Sequence, residues 1–332
     1  MPQFIMPDQV HTPAGDIRHV GIELEMAGLD LMDMAKAVAV VFGGQVTSKN
    51  SFEIEVTNSR YGTFHIELDA SLLKDHAYLD YLAKIGIEPQ DLEEQKDIES
   101  TLSRLARSVV PSEVVAPPIP VTALAEMDTL RQRLHQAGAK GTRAALIYAF
   151  GAQFNIETAS ASASYFRDIL RAYVLLHDRL SERGTVDIAR KVAPYIRAFP
   201  GEYIRLILSE NYAPSLTDLI GDYLLHNPTR NRPLDMLPLF AHLAHDQVMA
   251  APVETHLIKP RPTFHYRLPN CQIDEPDWSL DQPWNDWVMV EKLAADTKRL
   301  AQHCHTYLEQ PGEIVAGMVD EWMNNLGKWL NT

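Results

Sequence analysis

The chain has 332 residues, and its 30 Lys and Arg against 44 Asp and Glu give a formal net charge of −14. That acidic balance argues against nucleic-acid or anionic-membrane partners, which both need a basic surface. Hydrophobic residues at 46% and charged residues at 22% are ordinary globular values, and 16 Gly plus 21 Pro exclude a collagen-like or linker-dominated chain.

At roughly 150 residues per domain, the length suggests about two domains or one large one. Cys271 and Cys304 cannot build a disulfide framework, and neither sits in a zinc-ligand spacing. The longest apolar stretch, near Ala35–Phe42, is far short of the ~20 residues of a membrane span. The opening MPQFIMPDQVHTPAGD lacks the basic start and apolar run of a secretory signal. The expectation is a soluble cytoplasmic protein.

Residues 1–18 read as an irregular lead-in rich in Pro, Gly and Asp. HVGIELEM (19–26) then alternates strictly, with Val20, Ile22, Leu24 and Met26 on one face and Gly21, Glu23 and Glu25 on the other. Period-two alternation predicts a strand. Asp30 and Gly43 bracket a predicted helix over 31–42. FEIEVT (52–57) and TFHIELD (63–69) alternate again around NSRYG and predict a hairpin. His65, Glu67 and Asp69 share one face of its second strand. Residues 74–107 read as one or two surface helices, and SVVPSEVVA (108–116) as a short strand.

Thr122 opens a predicted helix stopped by Gly138. Residues 144–158 read as a strand pair or one long strand, with Gln153, Asn155 and Glu157 on its polar face. The stretch 162–250 reads as mostly helical, punctuated by Gly184, Pro200-Gly201, Pro214, Pro228 and Pro233. RPTFHYRL (261–268) alternates once more, with Arg261, Thr263, His265 and Arg267 on one face. The tail over 284–330 reads as two helices split at Pro311-Gly312. Strands with helices between them, but no regular βαβ alternation, predict an α+β fold with a mixed or antiparallel sheet. The absence of GxGxxG after the first strand and of any GxxxxGK[ST] argues against Rossmann and Walker-type nucleotide sites.

The informative feature is the set of polar strand faces. Stacked in one sheet, they would gather Glu23, Glu25, Glu67, Asp69, Gln153, Asn155, Arg261, His265 and Arg267. Carboxylates held together repel unless a cation sits between them, and oxygen donors suit Mg²⁺ or Mn²⁺. Arginines on the same surface suit phosphate or carboxylate oxygens. The same pattern also describes an ordinary solvated sheet face, and alternation alone leaves both readings open.

The segments VGIELEM (20–26), FHIELDASLL (64–73), PSEVVAPPIP (111–120) and FGAQFNIE (150–157) together resemble the successive motifs of the amidoligase family. This family is a branch of the carboxylate–amine ligases with a glutamine-synthetase-like catalytic fold. The resemblance implies a mostly antiparallel curved sheet with helices on one face. It implies a catalytic domain over 19–270 with a largely helical insertion at 162–250, and a helical C-terminal tail over 271–332 packed on it. The implied activity is ATP-dependent formation of an amide from a small-molecule or peptide carboxylate and an amine, through an acyl phosphate. In that reading Glu23, Glu25, Glu113 and Glu67 hold Mg²⁺ or Mn²⁺. Lys259, Arg261 and Arg267 meet the ATP phosphates, with Arg261 and Arg267 catalytic. Gln153 and Asn155 complete the metal shell or hold substrate, and Asp69 binds or deprotonates the amine.

Four positions depart from the family pattern. Ala70 stands for Gly in the Asp-Gly-Ser-Leu turn. Gln153-x-Asn155 replaces a His-x-His type pair, and His265 replaces a carboxylate two residues before the late arginine. They leave open the number of metal ions, a catalytically silent binding or scaffold protein with the same fold, and a magnesium-dependent phosphotransferase. His242 and His245, and His303 and His305, lack a third ligand at metal-site spacing. Trp278, Trp284 and Trp287 are expected to anchor the tail. The oligomeric state is not readable.

Overall fold

The computed structural model describes residues 2–50, 52–68, 111–142, 150–183 and 197–309. Among the described residues nine strands form one open sheet: β1 (His19–Met26), β2 (Gln45–Asn50), β3 (Glu53–Ser59), β4 (Gly62–Leu68), β5 (Ser112–Val115), β6 (Ile119–Pro120), β7 (Ala152–Glu157), β8 (Leu234–Asp235) and β9 (Thr263–Tyr266). The spatial order is β2-β3-β4-β5-β1-β7-β9-β8, with β6 pairing to the start of β1. Every pairing is antiparallel.

The helices are α1 (Leu31–Phe42), α2 (Leu124–Ala137), α3 (Ala163–Arg183), α4 (Gly201–Leu208), α5 (Leu216–His226), α6 (Leu237–Leu243), α7 (His245–Met249), α8 (Asp281–Ala295) and α9 (Thr297–Glu309). Local chemistry sets several ends. Gly138 takes a left-handed conformation (φ +100°) and its N–H reaches back to His135 and Leu134, closing α2. The Ser215 hydroxyl accepts from the Asp218 N–H at 3.2 Å and opens α5.

One face of the sheet is apolar and covered. Val20, Ile22, Leu24, Val56, Phe64, Ile66, Val114, Phe154, Ile156 and Phe264 are fully buried. Helix α1 packs on β2, β3 and β4, α6 packs on β9, and α8 packs on α3. Trp284 and Trp287 of α8 are fully buried, and Trp287 stacks obliquely on Phe264 and Tyr266. A hydrocarbon layer this continuous is what the strict alternation requires, since each strand offers only every second residue to it.

Several expectations change. Strand β2 forms although QVTSKN carries no alternating apolar face, and all six of its residues are exposed. It is held by pairing to β3 rather than by burial. A two-residue strand, β8, lies within the stretch read as helical, and closes the other sheet edge against β9. The final helices break at Asp296, while Pro311-Gly312 lies outside the described residues, as do 74–107 and the first part of the 144–158 strand reading. Among the described residues no helix is long and apolar enough to cross a membrane.

One buried ion pair ties the lead-in, sheet and helical layer together. The Arg18 side chain, fully buried, donates to the Glu157 carbonyl at 2.7 Å, the Gln9 carbonyl at 2.8 Å and the Glu291 carboxylate at 2.5 and 3.0 Å. Trp287 Nε1 donates to the same carboxylate at 2.7 Å. Arg18→Met leaves Glu291 without its counter-charge, so unfolding free energy should fall by about 3–5 kcal/mol. Adding Glu291→Gln removes that charge and should recover a substantial part. Urea denaturation of the three proteins checks both effects.

Candidate active site

The other sheet face is polar, and its side chains fall in rows set by strand register. Antiparallel partners point to the same side. One row runs Glu53, Glu67, Glu113, Glu25 across β3, β4, β5 and β1. Four carboxylates thus stand on four consecutive strands, spanning about 14 Å at the usual strand spacing. A second row runs Glu55, His65, Val115, Glu23, Gln153. A third runs Gly21, Asn155, His265, Asp235 across β1, β7, β9 and β8.

The β7–β9–β8 side of this face is a buried hydrogen-bonded lattice. Glu25 accepts from the Gly151 N–H at 2.8 Å and from Gln153 Nε2 at 2.6 Å. Glu23 accepts from Asn155 Nδ2 at 2.7 Å, and Arg261 lies 3.9 Å away. His265 Nε2 meets Gln153 Oε1 at 2.8 Å, and its Nδ1 lies 3.6 Å from Asp235. Arg230 Nε is 3.7 Å from Asp235, and Arg267 donates to the Arg230 carbonyl at 2.8 Å.

Electrostatics follow from this packing. Burial by itself would raise the Glu23 carboxyl, but His265, Arg261, the Asn155 amide and Arg267 outweigh it and hold the group below the usual carboxylate range. Burial pushes the His265 imidazole down against the pull of Asp235 and Glu23. Burial likewise lowers Arg261, with Glu23 opposing.

Sequence reasoning placed Glu23, Glu25, Glu67, Gln153, Asn155 and His265 on one face, and the register puts them there. Glu113 joins the same row. Arg261 comes in beside Glu23 and Arg267 reaches the Arg230 segment. Lys259 is exposed on the segment before β9, and no described contact links it to this lattice. Asp69 lies outside the described residues. Arg230 and Asp235 were missed. They sit at a turn and in a two-residue strand, which give no periodic signal.

The donor set fits a hard divalent cation on the acidic rows. Glu23, Glu25, Glu113 and Glu67 offer only oxygen, and the buried Asn155 Oδ1 has no hydrogen-bond partner among the described residues. Among the described residues, the group of three or more candidate ligands whose atoms lie within 4.8 Å of one another is Glu53, Glu55 and His65. Lys49 already neutralises part of that group, at 2.9 Å from Glu55. Arg230 and Arg261 on the opposite side supply cationic hydrogen-bond donors suited to phosphate or carboxylate oxygens.

Two measurements test this electrostatic division. Glu67 lies between Glu53 and Glu113, so Glu67→Gln should stabilise the metal-free protein by about 0.5 kcal/mol and weaken Mn²⁺ binding. Denaturation in EDTA and Mn²⁺ titration check the pair of effects. Glu23 is depressed in the folded state, so its stabilisation is complete above the ordinary carboxylate range and is lost as pH falls through that range and the lower folded value. Glu23→Gln should flatten the acid limb of the stability–pH curve.

Residues 16–289 match the model of a protein family described as "putative amidoligase enzyme". No curated protein and no solved structure gives a significant match to the chain.

Proposed function

The chain belongs to this amidoligase family, and we propose that it joins a carboxylate to an amine with ATP as the activating substrate, on a sheet of the glutamine-synthetase type. The observation that carries this reading is the division of one sheet face into an acidic row (Glu25, Glu113, Glu67) and an arginine-bearing side (Arg230, Arg261, Arg267). Phosphoryl transfer from ATP to a carboxylate needs both: a cation zone for the phosphates, and donors for the charge on the transferred group.

In this scheme a substrate carboxylate oxygen attacks the γ-phosphorus, the bond to the β-phosphate oxygen breaks, and ADP leaves with that oxygen. The amine nitrogen then attacks the acyl carbon, the bond to the phosphate oxygen breaks, and inorganic phosphate leaves. The amine's surplus proton goes to a base, a role we assign to Asp69. Glu23, Glu25, Glu113 and Glu67 would hold Mg²⁺ or Mn²⁺, which when bound would neutralise phosphate charge. Asn155, through its orphaned carbonyl, completes that oxygen set or contacts substrate.

The arginines carry the transition-state role. Arg261 leans on Glu23 at 3.9 Å, a separation that an incoming phosphate can outcompete. Arg267 is braced by the Arg230 carbonyl and by a backbone N–H bond to the Pro233 carbonyl at 2.9 Å. A donor held this way needs little reorganisation as charge develops. Lys259, two residues before Arg261, reaches outer phosphate oxygens.

Arg267→Lys keeps the charge but loses the planar fork. Turnover should drop about 10²-fold, with a much smaller loss in ATP affinity. The assay is phosphate release from ATP with pooled amino acids or peptides as carboxylate and amine donors. Release should require both donors. Amine-independent phosphorylation of the carboxylate would point to a phosphotransferase. Failure of wild-type protein to bind ATP would make the silent scaffold the better reading.

A further inference from the structure

A diagonal across the three rows contains a device that the ligase reading does not need in order to name its ligands, yet which decides how one of them is presented. Asp235, His265, Gln153 and Glu25 form a line across β8, β9, β7 and β1. Asp235 is fully buried, His265 is 2% exposed and Gln153 is 7% exposed. Hydrogen-bond direction along the line is fixed from its end. Ionised Glu25 can only accept, so the group facing its Oε1 at 2.6 Å must be the Gln153 NH₂. The Gly151 N–H on Oε2 agrees with that charge state. Gln153 therefore turns its carbonyl to His265, and the ring nitrogen 2.8 Å from that carbonyl must carry a hydrogen.

We infer that His265 is a positioning residue that donates from Nε2 to Gln153 and thereby locks the Gln153 carboxamide as a hydrogen-bond donor to Glu25, not as a cation ligand. The inference rests on the ligase reading only for its use of a cation at Glu25. Reversing the Gln153 amide would set its carbonyl against the Glu25 carboxylate, a buried clash of like polarity. Asp235 is in turn fixed, because its Oδ1 accepts from the Leu237 N–H at 2.9 Å. Its other oxygen faces Nδ1 at 3.6 Å, beyond hydrogen-bond reach, and neither atom has a hydrogen-bond partner among the described residues. Glu25 thus meets its donors on the β7 side, and the cation it helps to hold lies toward Glu113 and Glu67 on β5 and β4.

The first test does not depend on any ligand. In a long-range ¹H–¹⁵N correlation spectrum of the full chain labelled at histidine, the His265 signal is assigned among 13 histidines by its loss in His265→Gln. Nε2 should carry a proton whether the ring is neutral or charged. A bare Nε2 overturns the inference. The second test is Mn²⁺ affinity by calorimetry. His265→Leu removes the donor and should weaken binding about 10- to 100-fold, as losses of a ligand's supporting partner do. His265→Gln can place its NH₂ near the position of Nε2 and should stay close to wild type. Equal affinity of a folded His265→Leu protein and wild type would sink the proposal, as would failure of a folded His265→Gln to rescue. Should His265→Leu not fold, or should wild type bind no Mn²⁺, the Nε2 measurement alone decides. The second of those results would count against the cation site of the ligase reading.

Discussion

The register of β1 is the constraint on which the polar face depends. β1 lies between β5 and β7, and its pairing sets Glu25 opposite Glu113 and Glu23 opposite Gln153. A slip of one residue against either neighbour would send both glutamates into the hydrocarbon layer and Val20, Ile22 and Leu24 onto the polar side. That layer resists the slip, because those three residues are fully buried beneath the helices. At about 1.5–3 kcal/mol for each fully buried aliphatic side chain, the apolar face outweighs the fraction of a kcal/mol by which facing carboxylates repel. Packing on one side of the sheet therefore dictates geometry on the other.

This asymmetry explains how a row of glutamates is tolerated. The acidic row is only partly buried, so solvent screens much of the repulsion between Glu53, Glu67 and Glu113. Toward β7 and β9 burial deepens, and there the composition changes to amides, an imidazole and guanidinium groups. Charge in that region is matched within a few ångströms: Glu23 by Asn155 and Arg261, Asp235 by Arg230 and His265. A gradient from exposed like charges to buried complementary ones is what the cost of burying an unpaired ion requires.

How much of this was legible in the sequence follows from the same asymmetry. HVGIELEM, TFHIELD and RPTFHYRL announced their strands because each has one face in the hydrocarbon layer, and period two survives in the letters. The polar row positions were then readable by parity. QVTSKN was invisible, since all six residues of β2 are exposed and its pairing to β3 leaves no period in the letters. Asp235 and Arg230 were invisible for a different reason. β8 is two residues long, and two residues have no period. The break between α8 and α9 falls at Asp296, where neither Pro nor Gly marks it in the letters. The tryptophans were legible as anchors, but their depth came only with the packing of α8 against α3 and β9.

The neutral residues between the two charged zones also have a physical task. A direct buried bidentate carboxylate–guanidinium pair is strong and closed. Each partner would then be withdrawn from any ligand, because an incoming cation or phosphate would first have to break that pair. Gln153 stands opposite Glu23 in the register and donates to Glu25. It satisfies one lone pair of that carboxylate without neutralising it. The donors from Gln153 and from the Gly151 N–H are both uncharged, so the charge of Glu25 is kept. Asn155 does the same for Glu23. Arg261 is held at 3.9 Å from Glu23, a looser contact than a bidentate pair. Histidine pairs at these positions would carry a titratable charge into the spacing. Carboxamides keep it neutral at every pH, so the separation of acidic and basic halves persists wherever the sheet itself is folded.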